Sequence, residues 1–248
     1  MAARRCKSGP PRGVKSRRLR CQFQAAVFIV VLLTAAFFVY VSDYYKADDV
    51  AIAVMQSEDI MRVQDNLIIL SPTTPSDTAL IFYPGAKVEY TAYIPLLEKL
   101  RQNGITCVLI KMPFNLAIFD QNAANKVFDE LPDIKNWYIG GHSMGGAMAS
   151  SYAANHKDKV KGLILLGAYI YGDVSPENAL TIYGTLNSNL EKNINYTENV
   201  VIIDGGNHAQ FGNYGEQKGD PPATISREDQ QNIAVKAILD FIHNKSKE

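Results

Sequence analysis

Cysteine is scarce in this chain. The 248 residues include three, Cys6, Cys21 and Cys107, too scattered for a disulfide framework, and no C-x-x-C spacing marks a metal or redox site. Cys107 stands alone in an apolar, strand-like run and reads as a small core residue. Stability must therefore come from an ordinary hydrophobic core, which about 200 residues can build as one domain. A net charge is missing as well, with 25 Lys and Arg against 25 Asp and Glu. That balance hides two unlike parts. Residues 1–42 hold eight basic residues and no acidic one, which leaves 17 basic against 25 acidic residues in the remainder. A mildly acidic body argues against a nucleic-acid surface. There is no internal repeat and no low-complexity tract.

Charge of either sign is absent from Phe23 to Val41, a run of 19 residues (FQAAVFIVVLLTAAFFVYV). About 20 apolar residues span a bilayer as a helix. The basic flank lies before this run, and Asp43, Asp48 and Asp49 follow it. By the positive-inside tendency, the N-terminus stays in the cytoplasm and the body is exported. The expected organisation is a basic cytoplasmic tail at 1–22, a transmembrane signal anchor at 23–41, a linker at 42–54 and one domain at 55–248. A cleaved signal peptide is the alternative, because Ala51-Ile52-Ala53 has the small-x-small form of a cleavage site. That site lies about ten residues past the apolar run, and the run is longer than a usual signal core, so the anchor is favoured.

The body alternates strand-like and helix-like segments. Strands are expected at 60–63, 67–70, 78–83, 105–110, 137–140, 160–166, 179–183 and 199–203. Helices are expected at 90–102, 123–131, 145–156 and 227–243, the last with Ser226 as its N-cap. Uninterrupted apolar strands separated by helices predict an α/β fold, a mostly parallel sheet covered by helices on both faces.

One segment carries chemistry. Gly141-His142-Ser143-Met144-Gly145 reads G-x-S-x-G, between a short apolar run and an Ala-rich, helix-forming run. That is the strand–turn–helix setting of a nucleophile elbow, which lifts one serine hydroxyl above the end of a sheet. A serine needs a base and donors for a developing oxyanion. Of the four histidines, His142 is placed to pack beside the serine, His156 ends the elbow helix, and His243 sits near the end of the last helix. His208 follows the last strand in Gly205-Gly206-Asn207-His208, where such a fold carries its base. The oxyanion donors would be the N–H of Met144 and one from Pro84-Gly85-Ala86-Lys87, with Ala86 first and Lys87 second. The acid of a triad should follow the strand at 179–183, yet no carboxylate occurs there before Glu191. Asn187 at the expected place, Glu191 just beyond it and Asp173 after the preceding strand all stay open. In the run Met112–Phe119, Phe114 and Phe119 are candidates to line an apolar acyl pocket.

The strings FYPGAKVEYTAYIPL (82–96), KMPFNLAIF (111–119), WYIGGHSMGGAMASSYA (137–153) and GGNHAQFGNYG (205–215) resemble the α/β-hydrolase superfamily. They are similar in particular to the bacterial α/β-hydrolase family 5, related to the dienelactone hydrolases, over roughly residues 48–244. The resemblance implies Ser143 as nucleophile and His208 as base, with an acid in a loop that usually reads like YGSEDG. Here Asn187 stands in that acid's place. The expectation is a membrane-anchored serine hydrolase of carboxylic esters, small-molecule or lipid, with no metal or organic cofactor and no nucleic-acid partner. The alternatives are a hydrolase-fold binding protein with an impaired site, and a thioesterase or acyltransferase using the same Ser–His pair.

Overall fold

The computed structural model describes residues 12–57 and 61–247. Arg4, Arg5, Lys7 and Cys6 of the expected basic tail, and Ile60 of the first expected strand, lie outside them. The chain divides into two units, Met1–Asp43 and Tyr44–Glu248. Among the described residues, the first holds the helix α1 (Arg12–Ser42). Within it Leu19–Ser42 has a mean hydropathy of 2.5 in its most apolar window, long and apolar enough to cross a membrane. Most of its apolar side chains are exposed, Phe23 and Val39 among them.

The second unit is built on one eight-stranded sheet: β1 (Met61–Gln64), β2 (Leu67–Leu70), β3 (Thr78–Tyr83), β4 (Thr106–Ile110), β5 (Asn136–His142), β6 (Gly162–Leu166), β7 (Ala179–Gly184) and β8 (Val200–Ile203). Their order is β1-β2-β4-β3-β5-β6-β7-β8. The pairs β1–β2 and β2–β4 are antiparallel, and every pairing from β4 to β8 is parallel. The expected mostly parallel sheet is therefore present.

The period of two along each strand sorts side chains between two cores. In β3, Leu80 and Phe82 join Leu96, Leu97 and Leu100 of α3 (Ile94–Gln102) and Ala234, Ile238 and Phe241 of α6 (Arg227–Lys245). Ala79, Ile81 and Tyr83 face the other way, toward Ala149, Tyr152 and Ala153 of α4 (Met144–Asn155). Helices thus cover both faces, which is why the strands lack polar alternation. Cys107 is fully buried in β4, where burial pushes its thiol pKa up.

Local differences from expectation have local causes. The helix expected at 90–102 begins as a 3-10 turn at Tyr90–Tyr93 and becomes α-helical just before Pro95, a residue favoured in a first helical turn. The helix expected at 123–131 is two 3-10 turns, Ala123–Lys126 and Phe128–Glu130. There Asn125 is engaged by Tyr152 Oη at 2.7 Å and Pro132 follows closely, so no long helix develops. Residues 44–54, expected within a linker, carry structure. Tyr45 bridges Val88, and Asp48 pairs with Arg227 at 2.7 Å. The helix α2 (Asp49–Ser57) contacts α3. A four-residue helix, α5 (Ser188–Glu191), follows β7.

Candidate active site

In a parallel sheet, groups placed just past the C-terminal strand ends converge on one edge. Here those ends deliver Pro84–Lys87 after β3, Ser143 after β5, Gly167 after β6, Asn187 after β7 and His208 after β8.

Ser143 joins β5 to α4 with φ 54° and ψ −122°. A positive φ in a residue with a side chain costs on the order of 1–3 kcal/mol and persists only where the surroundings enforce it. They do so here. Ser143 N–H donates to Leu166 O at 3.0 Å, and Ser143 O accepts from Ala147 N–H at 3.0 Å. Gly145 lets α4 approach β3 closely, since a Cβ there would lie 2.2 Å from Tyr83 O and 2.3 Å from Pro84 O. The serine side chain does not cap its own helix, so the hydroxyl remains available.

Within Pro84–Lys87, Lys87 N–H donates to Asn115 O at 2.8 Å. Gly85 N–H donates to Tyr93 Oη at 3.0 Å. Among the described residues, the N–H of Ala86 and that of Met144 at the start of α4 have no such partner. The bond to Asn115 ties this loop to the turn after β4, where Phe114 and Asn115 both have φ of 55°. Phe114 and Phe119 are roughly half exposed, their rings edge to face at 5.8 Å.

His142 is almost fully buried and holds the parts together. Its Nε2 lies 3.0 Å from His208 O and its Nδ1 lies 2.8 Å from Tyr93 Oη. A carbonyl only accepts, so Nε2 carries the proton and donates to it. Nδ1 then accepts from the Tyr93 hydroxyl, whose oxygen in turn accepts from Gly85 N–H. The chain Gly85–Tyr93–His142–His208 thereby ties the loop after β3, the 3-10 turn, the end of β5 and the loop after β8 together through a single tautomer. Burial holds the His142 pKa well below 6.5, repulsion from His208 lowers it further, and the bond to His208 O opposes both.

The His208 ring lies against the His142 ring at 4.5 Å. Gly167, at φ 54°, leaves room for it: a Cβ there would be 2.8 Å from His208 Nδ1. The loop is clamped from α6, where Gln230 accepts from Asn207 N–H at 3.0 Å and donates to Asn207 O at 2.8 Å. Burial lowers the His208 pKa from 6.5, and the charge of Asp220 opposes that shift. Asp220 accepts from the N–H groups of His208 and Ala209 at 3.2 and 2.7 Å.

Of the three residues considered for the acid, the structure brings Asn187 to His208, with its Nδ2 2.9 Å from His208 Nδ1. Asp173 is exposed and pairs with Lys157 at 2.6 Å. Glu191 is exposed on α5. An amide can face the ring in two ways. With Nδ2 inward, Nδ1 accepts and the proton sits on Nε2. With Oδ1 inward, Nδ1–H donates and Nε2 is free to accept from a hydroxyl.

Tyr93, Gly167, Asp220 and Gln230 were not singled out by sequence reading. Gln230 left a trace: it and Gln231 occupy buried positions on the apolar face of α6, where glutamine needs a polar partner. Tyr93, Gly167 and Asp220 left none, because their partners are remote in sequence.

Comparison with known proteins bears on the family and the fold. The chain is 26% identical over 161 residues to the "Putative non-heme haloperoxidase" of Mycobacterium phage D29, covering 61% of this chain. The chain spans 57% of that relative's length. Its fold resembles MenH from S. aureus, with a TM-score of 0.53 at 13% identity, covering 74% of this chain and all of the other. It also resembles a soluble variant of monoglyceride lipase from Saccharomyces cerevisiae, with a TM-score of 0.52 at 11% identity, covering 76% of this chain and 96% of the other. At such identities these two likenesses speak for the fold alone. The alpha/beta hydrolase family model matches residues 79–232, more than half of the chain, and reaches from β3 through the elbow and His208 into α6. The chain belongs to the alpha/beta hydrolase family.

Proposed function

We propose that this protein is a serine hydrolase of carboxylic esters, held at a membrane by α1 with its N-terminus in the cytoplasm and its body on the far side. The observation that carries the reading is the strained turn at Ser143, whose preceding residue His142 lies against the His208 ring at 4.5 Å. A buried imidazole with a lowered pKa is neutral at physiological pH, as a general base must be. In this reading His208 Nε2 takes the Ser143 proton, with Asn187 turned so that Oδ1 accepts from Nδ1–H. The alkoxide attacks the ester carbonyl, and the N–H groups of Met144 and Ala86 hold the oxyanion. His208 then gives its proton to the departing alcohol. Water, activated by the same base, releases the acyl group.

Phe114 and Phe119 would receive the acyl chain. Turnover of p-nitrophenyl esters should peak at one chain length, and Phe119→Ala should shift that optimum. An unchanged optimum would remove Phe119 from this role.

A fluorophosphonate probe tests the chemistry. We expect labelling of the wild type and none of Ser143→Ala. Absence of labelling from neutral to alkaline pH would instead support a binding protein on a hydrolase scaffold, the reading favoured by an uncharged Asn187 beside the imidazole. Protease protection of membrane vesicles checks the topology: a body degraded only from the cytoplasmic side would reverse it.

A further inference from the structure

Asn187 makes the site incomplete. In a serine triad the acid orients the imidazole and stabilises it as a cation, and replacing that Asp by Asn lowers turnover by about four decades. An amide can do the first of these jobs and not the second. Some other group must carry the charge if the base is to work, and the structure contains a carboxylate bonded to the base's own residue.

We propose that the two jobs of the missing acid are divided: Asn187 sets the orientation of the His208 ring, and Asp220 supplies the negative charge that favours its protonated form. This inference rests on the serine-hydrolase reading. Asp220 acts through His208 and is a positioning residue. Its Oδ1 accepts from His208 N–H and its Oδ2 from Ala209 N–H. The strap that carries it is fastened at several points. Asn207 Nδ2 donates to Pro221 O at 2.9 Å, and Thr224 N–H donates to Gly205 O at 2.8 Å. The carboxylate therefore keeps station beside the base loop.

The groups facing His208 are few. His142 comes from the end of β5 and is held neutral by burial. Asn187 comes from the start of α5 and is uncharged. Gly167 follows β6 and has no side chain. Asp220 is the anion of this set, and its charge raises the His208 pKa against the effect of burial. Asp173 and Glu191 are exposed and have no bond to His208. Asp220 is itself partly exposed, so solvent screens it more than it would a buried triad acid. The arrangement should restore part of the lost turnover and leave room for improvement.

Asp220→Asn tests this. The amide oxygen keeps one of the two backbone N–H bonds, the strap bonds from Asn207 to Pro221 and from Thr224 to Gly205 stay, and the charge is removed. Histidine-labelled NMR should show the His208 pKa falling in the variant. The acid limb of ester hydrolysis should move down with it, and kcat should fall about tenfold with little change in KM. Adding Asn187→Asp to the variant should return the pKa and raise kcat above the wild-type value. A His208 titration that does not move in Asp220→Asn overturns the proposal and leaves Asp220 a loop cap. The NMR measurement needs no substrate, so it decides the matter even if fluorophosphonate labelling fails and the hydrolase reading falls. Should Asp220→Asn not fold, Asn187→Asp alone decides. With Asp220 already contributing about tenfold, its gain in kcat should stop near three decades, and a gain of the full four decades would sink the division of roles.

Discussion

Single residues at this site are judged by what they leave room for as much as by what they contribute. Gly167 illustrates this. Its φ of 54° would cost an alanine on the order of 1–2 kcal/mol, a modest loss of stability. The added Cβ would also push on His208 Nδ1 from 2.8 Å, against a ring backed by His142. Gly167→Ala should therefore lower ester turnover far more than it lowers Tm. Parallel losses, measured by p-nitrophenyl ester kinetics and thermal unfolding, would deny Gly167 this spacing role. Ser143 is legible in the sequence, because the elbow is a local motif whose constraint lies within five residues. Asn187 is legible only as one of three possibilities, because choosing among them takes the position of His208.

At the scale of elements, the strand ends decide where chemistry can occur, and the helices hold those ends in place. α6 does this directly through Gln230, so its stability bears on the His208 loop. Ser226 caps α6 by accepting from Asp229 N–H at 3.0 Å. Ser226→Ala should destabilise the body by about 0.5–2 kcal/mol, read as a lower urea midpoint with an unchanged slope. No measurable shift would mean that the cap is redundant with the packing of Ala234, Ile238 and Phe241. The α6 start was legible because capping is a short-range signal. The splitting of 123–131 into two 3-10 turns was not, because it depends on where Asn125 and Tyr152 meet.

For the whole molecule, two consequences follow from burial and from the path of the chain. His142 and His208 both have pKa values lowered below 6.5 by burial. Below pH 6.5 the unfolded chain binds protons that the folded chain does not, so stability falls as the pH falls from there toward the folded values. Urea midpoints should decline over that range, and the decline should be shallower in His142→Gln. Equal slopes would show that His142 is not the acid-sensitive group. The second consequence concerns the start of the body. Tyr45 bridges Val88, and Asp48 bonds Arg227 and Asn213. A fragment of residues 44–248 should fold with the higher Tm, and one of 58–248 should lose several degrees by circular dichroism. Equal values would make 44–57 a dispensable tether.

The sequence by itself determined what is local or periodic: the apolar 19-residue run, the strand rhythm that demands helices on both faces, the elbow around Ser143 and the cap of α6. Each depends on residues within a few positions of one another, where covalent geometry and solvation leave few choices. Only the tertiary structure decided what converges. It set Asn187 against His208 across 21 residues, joined Tyr93 to His142 across 49, and brought Asp220 under the His208 loop. Those pairings come from the crossover order of the sheet and the clamping of its loops. No spacing along the chain encodes them, because contacts between distant segments exist only after the core has formed.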